Sequence, residues 1–239
     1  VLICATSTPL RFAVASESTQ KATQHAYELV KKEKLQMAID YIESKIKETP
    51  EDLELHLVAA DIKLIQREPR KAKSLVNMVL ERKRSFPRAY LILAKAQVAL
   101  AEYPEALNAL SEYEKEVNSA ELHSLRGSIY LETKEIPKAL DSYRKAVTMA
   151  PKDPSNRAGL AWALWLNGER EPAQKLLKES LRQFPNNEPL KTTLERVESE
   201  LQFEREVREH SQKVLVQPVP SQKVPVQAVP VQAVPAQAV

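Results

Sequence analysis

Residues 122–151 read LHSLRGSIYLETKEIPKALDSYRKAVTMAP, and this stretch decides the fold. It holds two helix-forming runs separated by Thr133-Lys134-Glu135, with Pro137 just inside the second run and Pro151 at its end. A proline in the first turn of a helix costs little, because its missing N–H has no partner there anyway. Gly127 sits twelve residues before Ala139, and Tyr143 four after it.

The pattern recurs on both sides. Alanines that open a second helix fall at Ala38, Ala72, Ala106, Ala139 and Ala173, with steps of 34, 34, 33 and 34. Twelve residues earlier each unit has a small residue: Ala26, Ala60, Ala94, Gly127 and Ala161. Four residues later each has a larger apolar one: Ile42, Val76, Leu110, Tyr143 and Leu177. Proline returns near the turn at Pro69, Pro104, Pro137 and Pro172, and closes three units at Pro50, Pro151 and Pro185. A fixed period of this size marks a repeat array, in which each helix pair buries its apolar face on its neighbour.

The frame resembles the tetratricopeptide-repeat (TPR) family. Gly127, Tyr130, Ala139, Tyr143, Ala146 and Pro151 fall on its signature positions. The resemblance covers about residues 19–187, although no unit has the family's early tryptophan, and Lys63 and Gln97 stand where it has tyrosine. It implies an all-α, right-handed superhelical solenoid of antiparallel helix pairs. The units run at about 19–52, 53–86, 87–119, 120–153 and 154–187. The charged stretch 188–211, with Leu190, Leu194, Val197, Leu201 and Phe203 placed towards one side, fits a helix that caps the array.

Composition is consistent with helix. The 239 residues include only three glycines, and 28% are charged. The net charge of +3 is too small to imply nucleic acid. The single cysteine, Cys4, excludes an internal disulfide framework. No segment has the apolar length of a transmembrane span.

Both ends differ from the middle. Residues 1–16 form an apolar leader in which Ala13-Val14-Ala15 has the spacing of a signal-peptidase site, with Arg11 interrupting the apolar run. Read as a truncated signal peptide, it places the protein in a periplasm or envelope. Read as an unstructured or weakly helical leader, it leaves the protein in the cytoplasm. Residues 212–239 contain the repeat Val-Pro-x-Gln-x, and a proline every fifth residue blocks helix and central strand. A disordered or polyproline-type spacer is expected there, the alternatives being a ligand for a proline-reading groove or a stalk.

The resemblance further implies that the first helix of each unit lines a concave groove through its positions 2, 5, 9 and 12. The candidate partner-binding residues are Tyr27, Leu57, Asp61, Leu64, Arg88, Leu91, Lys95, Val98, Leu131, Trp162 and Trp165. Leu57, Leu64, Leu91 and Val98 would make an apolar strip beside Asp61, Arg88 and Lys95. Trp162 and Trp165 are spaced to share a helix face, and either anchor a partner or pack as core against the capping helix. The family's carboxylate clamp would need cationic and amide groups where the chain has Thr23, Tyr27, Val58, Arg88 and Ile92. Only Arg88 fits, so that clamp is not expected.

Catalytic signatures are missing. The four histidines, His25, His56, His123 and His210, form no H-E-x-x-H pair, and no glycine-rich phosphate loop or nucleophile elbow occurs. No catalytic, cofactor or metal residue is therefore assigned. His56 and His123 share one position in their units, which reads as packing. A basic stretch (Arg67, Arg70, Lys71, Lys73, Arg82, Lys83, Arg84, Arg88) reads first as a solvated face. No series of interleaved aromatics supports base stacking along it, so nucleic acid is not the expected partner. The expected function is a non-enzymatic scaffold or adaptor that holds a partner peptide or helix in the groove, in a bacterial envelope assembly or secretion system if the leader is an export signal. The alternatives are a cytosolic chaperone-like protein for an amphipathic client and a regulatory subunit of a separate enzyme.

Overall fold

The computed structural model describes residues 16–216, with side chains through 211. The leader motif Ala13-Val14-Ala15 and the Val-Pro-x-Gln-x repeats lie outside the described residues. Eleven helices and no strand occur among those described. They pair as α1 (Glu17–Lys31) with α2 (Leu35–Glu48), α3 (Leu53–Ile65) with α4 (Pro69–Arg82), and α5 (Pro87–Ala99) with α6 (Tyr103–Glu114). Then come α7 (Ala120–Glu132) with α8 (Ile136–Met149), α9 (Pro154–Leu166) with α10 (Arg170–Gln183), and a last helix α11 (Glu188–Val216).

The repeated residues do the packing the period implies. Ala26, Ala60, Ala94 and Ala161 face the ladder Ala38, Ala72, Ala106, Ala139 and Ala173, and all nine are fully buried. Small side chains let paired helices approach closely, and Ile42, Val76, Leu110, Tyr143 and Leu177 fill the space between them. Core clusters bridge adjacent units. Ala26, Ile42 and Val58 join units one and two, and Leu57, Val76 and Ile92 join two and three. Leu91, Leu110 and Ile129 join three and four.

The turn inside each pair is built the same way five times. Glu33, Arg67, Ala101, Lys134 and Gly168 all adopt left-handed backbone, with φ of 59°, 60°, 58°, 62° and 85°. At each, the next residue's N–H reaches back to close the first helix, as Lys34 N–H does to Leu29 O at 3.0 Å and Glu135 N–H to Tyr130 O at 2.8 Å. This is the αL termination that glycine favours. Only unit five uses glycine, so four units hold a side chain in a conformation costing roughly 1–2 kcal/mol.

First helices other than α5 are capped by side chains. Asp52 accepts from Glu54 N–H at 3.1 Å, Ser119 from Leu122 N–H at 3.2 Å, and Asp153 from Ser155 N–H at 2.9 Å. Their fourth residues hook back to the preceding loop. His56 Nε2–H donates to Pro50 O at 3.1 Å, His123 Nε2–H to Asn118 Oδ1 at 2.7 Å, and Arg157 Nε–H to Pro151 O at 2.9 Å. This position therefore ties units two, four and five to the loop before each.

Within α1–α10 each first helix touches the first helix of the next unit, whereas successive second helices do not touch one another. The row α1, α3, α5, α7, α9 is thus the more closely spaced one.

Among the described residues the chain divides after Val197 into two units. In α11, Leu190 and Val197 are buried and Leu194 is half-buried, as a capping helix requires. Phe203 departs from the expected stripe and is 66% exposed. It lies two residues beyond Leu201, a step of about 200° that carries it to the other side of the helix.

Candidate inner-face binding surface

The inner row brings four of the candidate residues into one ladder. Tyr27 on α1 donates its hydroxyl to Asp61 Oδ2 on α3 at 2.7 Å. Arg88 on α5 donates from Nη2 to Tyr27 Oη at 2.8 Å and to Asp61 Oδ2 at 3.0 Å, and from Nη1 to Glu54. One position further along, Lys95 Nζ lies 2.6 Å from Glu121 Oε1 on α7. The Asp61–Arg88 and Lys95–Glu121 pairs repeat one relation, position 9 of a unit to position 2 of the next. Such contacts require neighbouring first helices to run in register.

Burial governs the ionisation here. Loss of solvent pushes the Asp61 carboxyl above its ordinary value, opposed by the Tyr27 hydrogen bond and the Lys95 charge. The Tyr27 hydroxyl is raised strongly, first by burial and then by the Asp61 charge. Glu54, Asp61 and Glu121 face Arg88 and Lys95, so the wall is close to neutral. Arg88 is already held by three oxygens, which leaves no open cation for a carboxylate clamp.

Beside the ladder, Leu64, Val98 and Leu131 are half-buried at the ends of α3, α5 and α7. Leu64 and Val98 pack in part against the core clusters of their units, and all three keep some apolar surface at position 12. Ile65 and Leu166, at the ends of α3 and α9, are 46% and 42% exposed and were absent from the sequence-based set. Their signal was an apolar residue one step past position 12. Glu54 and Glu121 stand at position 2 of their units, one of the positions that the resemblance places on the groove.

Three of the expected wall residues belong to the core instead. Leu57 and Leu91 are buried, Leu57 in the cluster joining units two and three and Leu91 in that joining three and four. Position 5 lies along the line where adjacent first helices meet, so a leucine there is covered. Trp165 is also buried, with the Arg170 guanidinium 5.2 Å from its ring. Trp162 is half-buried beneath the Arg196 guanidinium of α11, 3.7 Å from its ring centroid. The tryptophans therefore do not form one open face, and capping-helix packing accounts for Trp162.

The basic stretch is dispersed. Arg88 points into the inner ladder, Lys71 pairs with Glu68 at 3.0 Å, Arg82 donates to Pro50 O at 3.2 Å, and Lys83 sits 4.9 Å from the Phe86 ring. Among the described residues no group of three or more His, Cys, Asp or Glu could hold a metal ion, and no helix is long and apolar enough to cross a membrane.

Comparison with known proteins places this geometry. No curated protein matches the chain. Among solved structures, a thermophilic TPR protein of Thermus thermophilus is 23% identical with a TM-score of 0.67, over 75% of this chain and 98% of that one. A tetratricopeptide repeat protein of Parabacteroides merdae is 16% identical with a TM-score of 0.60, over 86% and 82%. YrrB, a TPR protein with an unusual peptide-binding site, is 18% identical with a TM-score of 0.52, over 72% and 97%. At these identities the likeness concerns the fold. The family model for a tetratricopeptide repeat-like domain matches residues 11–162, and one for a tetratricopeptide repeat matches 130–197. With its alanine ladder buried between paired helices and most of its length matched, the chain belongs to the tetratricopeptide-repeat family.

Proposed function

We propose that this protein is a non-catalytic scaffold that holds a peptide or helix of a partner protein against the inner row α1, α3, α5, α7 and α9. Repeats of this family are in general interaction modules rather than catalysts. The observation that carries the reading is the register of the inner row. It sets Leu64, Val98 and Leu131, half-buried, at position 12 of the helices that carry the paired charges of Asp61, Arg88, Lys95 and Glu121. Apolar surface with fixed polar neighbours is the chemistry that an amphipathic segment matches. The near-neutral wall favours such a segment over an acidic chain terminus.

The test uses the full chain as bait for partner capture, with Leu64→Glu, Val98→Glu and Leu131→Glu as inner-face variants and Lys71→Glu as an outer control. Loss of the captured protein with the inner variants and retention with the control supports the reading. Equal capture by all four, with unchanged melting temperatures, refutes it. An envelope setting is carried by Ala13-Val14-Ala15 alone, and fractionation of cells expressing the chain with and without residues 1–16 tests it.

A further inference from the structure

A second surface lies far along the sequence from the inner row. The last buried side chain described in α11 is Val197, yet the helix continues from Glu198 to Val216, about 28 Å at 1.5 Å per residue. From 198 to 211 no side chain is buried. An isolated helix of this length is marginal in water, since few tertiary contacts hold it. On it Phe203 is 66% and Val207 47% exposed, and residues four apart share a helix face.

The charges around that pair are sorted. Glu200 and Glu206 lie one turn before and after Phe203, and Glu204 one turn before Val207, so carboxylates rim the apolar patch. Arg205 is two residues from both Phe203 and Val207, which turns it to the opposite face, and Arg208 also points away. The stretch 198–211 has five glutamates and two arginines.

We propose that Glu198–Ser211 is a docking helix for a cationic amphipathic helix of another protein. Phe203 and Val207 would seat between apolar residues spaced three and four apart on that helix, and its flanking Lys or Arg would meet Glu200, Glu204 and Glu206. Helix-on-helix packing of this kind needs only a short apolar ridge. A second copy of this chain is disfavoured, because it would set one acidic rim against another. An anionic lipid surface is disfavoured for the same reason. It shares no residue with the inner row, so the two readings are tested independently.

The experiment measures binding of the full chain to three labelled peptides of about 18 residues, long enough to form helix. One has leucines at helical spacing flanked by lysines. The second has the same composition scrambled, and the third has glutamate in place of lysine. The first is expected to bind, to weaken as salt rises, and to lose at least about tenfold in affinity with Phe203→Ser/Val207→Ser. Glu200→Gln/Glu206→Gln should weaken it less and flatten the salt dependence. Circular dichroism confirms that each variant keeps its helix content. Equal binding of the scrambled peptide, unchanged affinity in the Phe203/Val207 variant, or binding of the glutamate peptide overturns the proposal. Self-association of the chain that Phe203→Ser abolishes makes a second copy the occupant and also overturns it.

Discussion

Substituting Gly159 by alanine sets a methyl group against a ring that has nowhere to move. An ideal Cβ at Gly159 lies 2.2 Å from Tyr143 Cε1, 2.6 Å from Cζ and 2.8 Å from Cδ1. Non-bonded carbons settle at about 3.5–4.0 Å, so the overlap exceeds 1 Å at its worst. Retreat is blocked on the other side, where a Cβ at Gly127 would lie 2.7 Å from Cδ2 and Cε2 of the same ring. Tyr143 is thus held between the backbones of α7 and α9, buried and with its hydroxyl pushed up to about 12 by that burial. Overpacking of this kind costs about 1–3 kcal/mol. Alanine returns about 0.8–1.0 kcal/mol of helix propensity over glycine. A clash near the top of the range leaves Gly159→Ala destabilised by about 1–2 kcal/mol, a fall of roughly 2–8 °C in melting temperature. With Tyr143→Ala in place the methyl meets open space, and Gly159→Ala should instead stabilise by up to about 1 kcal/mol. The assay is a four-member double-mutant cycle in urea, followed by far-UV circular dichroism at low temperature, because Tyr143→Ala alone costs roughly 3–5 kcal/mol. The same sign for Gly159→Ala in both backgrounds refutes the ring clamp.

Four further outcomes follow from named residues. Gly168→Ala should cost about 1 kcal/mol through backbone strain alone, since a Cβ there meets nothing within 4 Å. Lys134→Gly, at the equivalent turn, should stabilise by roughly 0.5–1 kcal/mol after the unfolded chain's extra freedom is deducted, and thermal melts check both. His123 has its pKa lowered by burial and then by Lys145 and Arg126. Its contribution is present above pH 6.5 and lost as pH falls through the lower folded value, so His123→Gln should flatten the acid side of a stability–pH curve. Arg88→Ala should destabilise by about 1–3 kcal/mol, because Asp61 and Glu54 lose their cation. Asp61 already has a raised folded pKa, which makes stability fall as pH rises above about 4. Removing Arg88 should steepen that fall, and urea midpoints across pH measure it.

Much of the fold was legible because the packing rule is local. Ala38, Ala72 and their successors meet a small residue twelve positions earlier, and both lie in the same helix pair. The turns were less visible. Glu33, Arg67, Ala101 and Lys134 adopt left-handed backbone without glycine to announce it, since the closing hydrogen bonds come from residues of any type. On the inner face, Tyr27, Asp61, Arg88 and Lys95 were found by position alone. Leu57 and Leu91 were misplaced because the same positional rule ignores how closely neighbouring first helices approach. Arg196 over Trp162 lay beyond reach for another reason. It comes from α11, outside the repeat, so no period within the units could point to it.

The spacing of the helices within α1–α10 has a mechanical meaning. Successive first helices meet directly, whereas second helices reach the next unit through its first helix, as α4 does on α5 and α8 on α9, and through ion pairs such as Lys73–Glu102. A change of angle between neighbouring units would be felt at these contacts and not in the alanine ladder, which lies inside each pair. The inner row is the line about which such a change would be measured. A partner seated across several units would clamp that line, and its arrival would register as a change in the stiffness of the whole array rather than in the structure of any one pair.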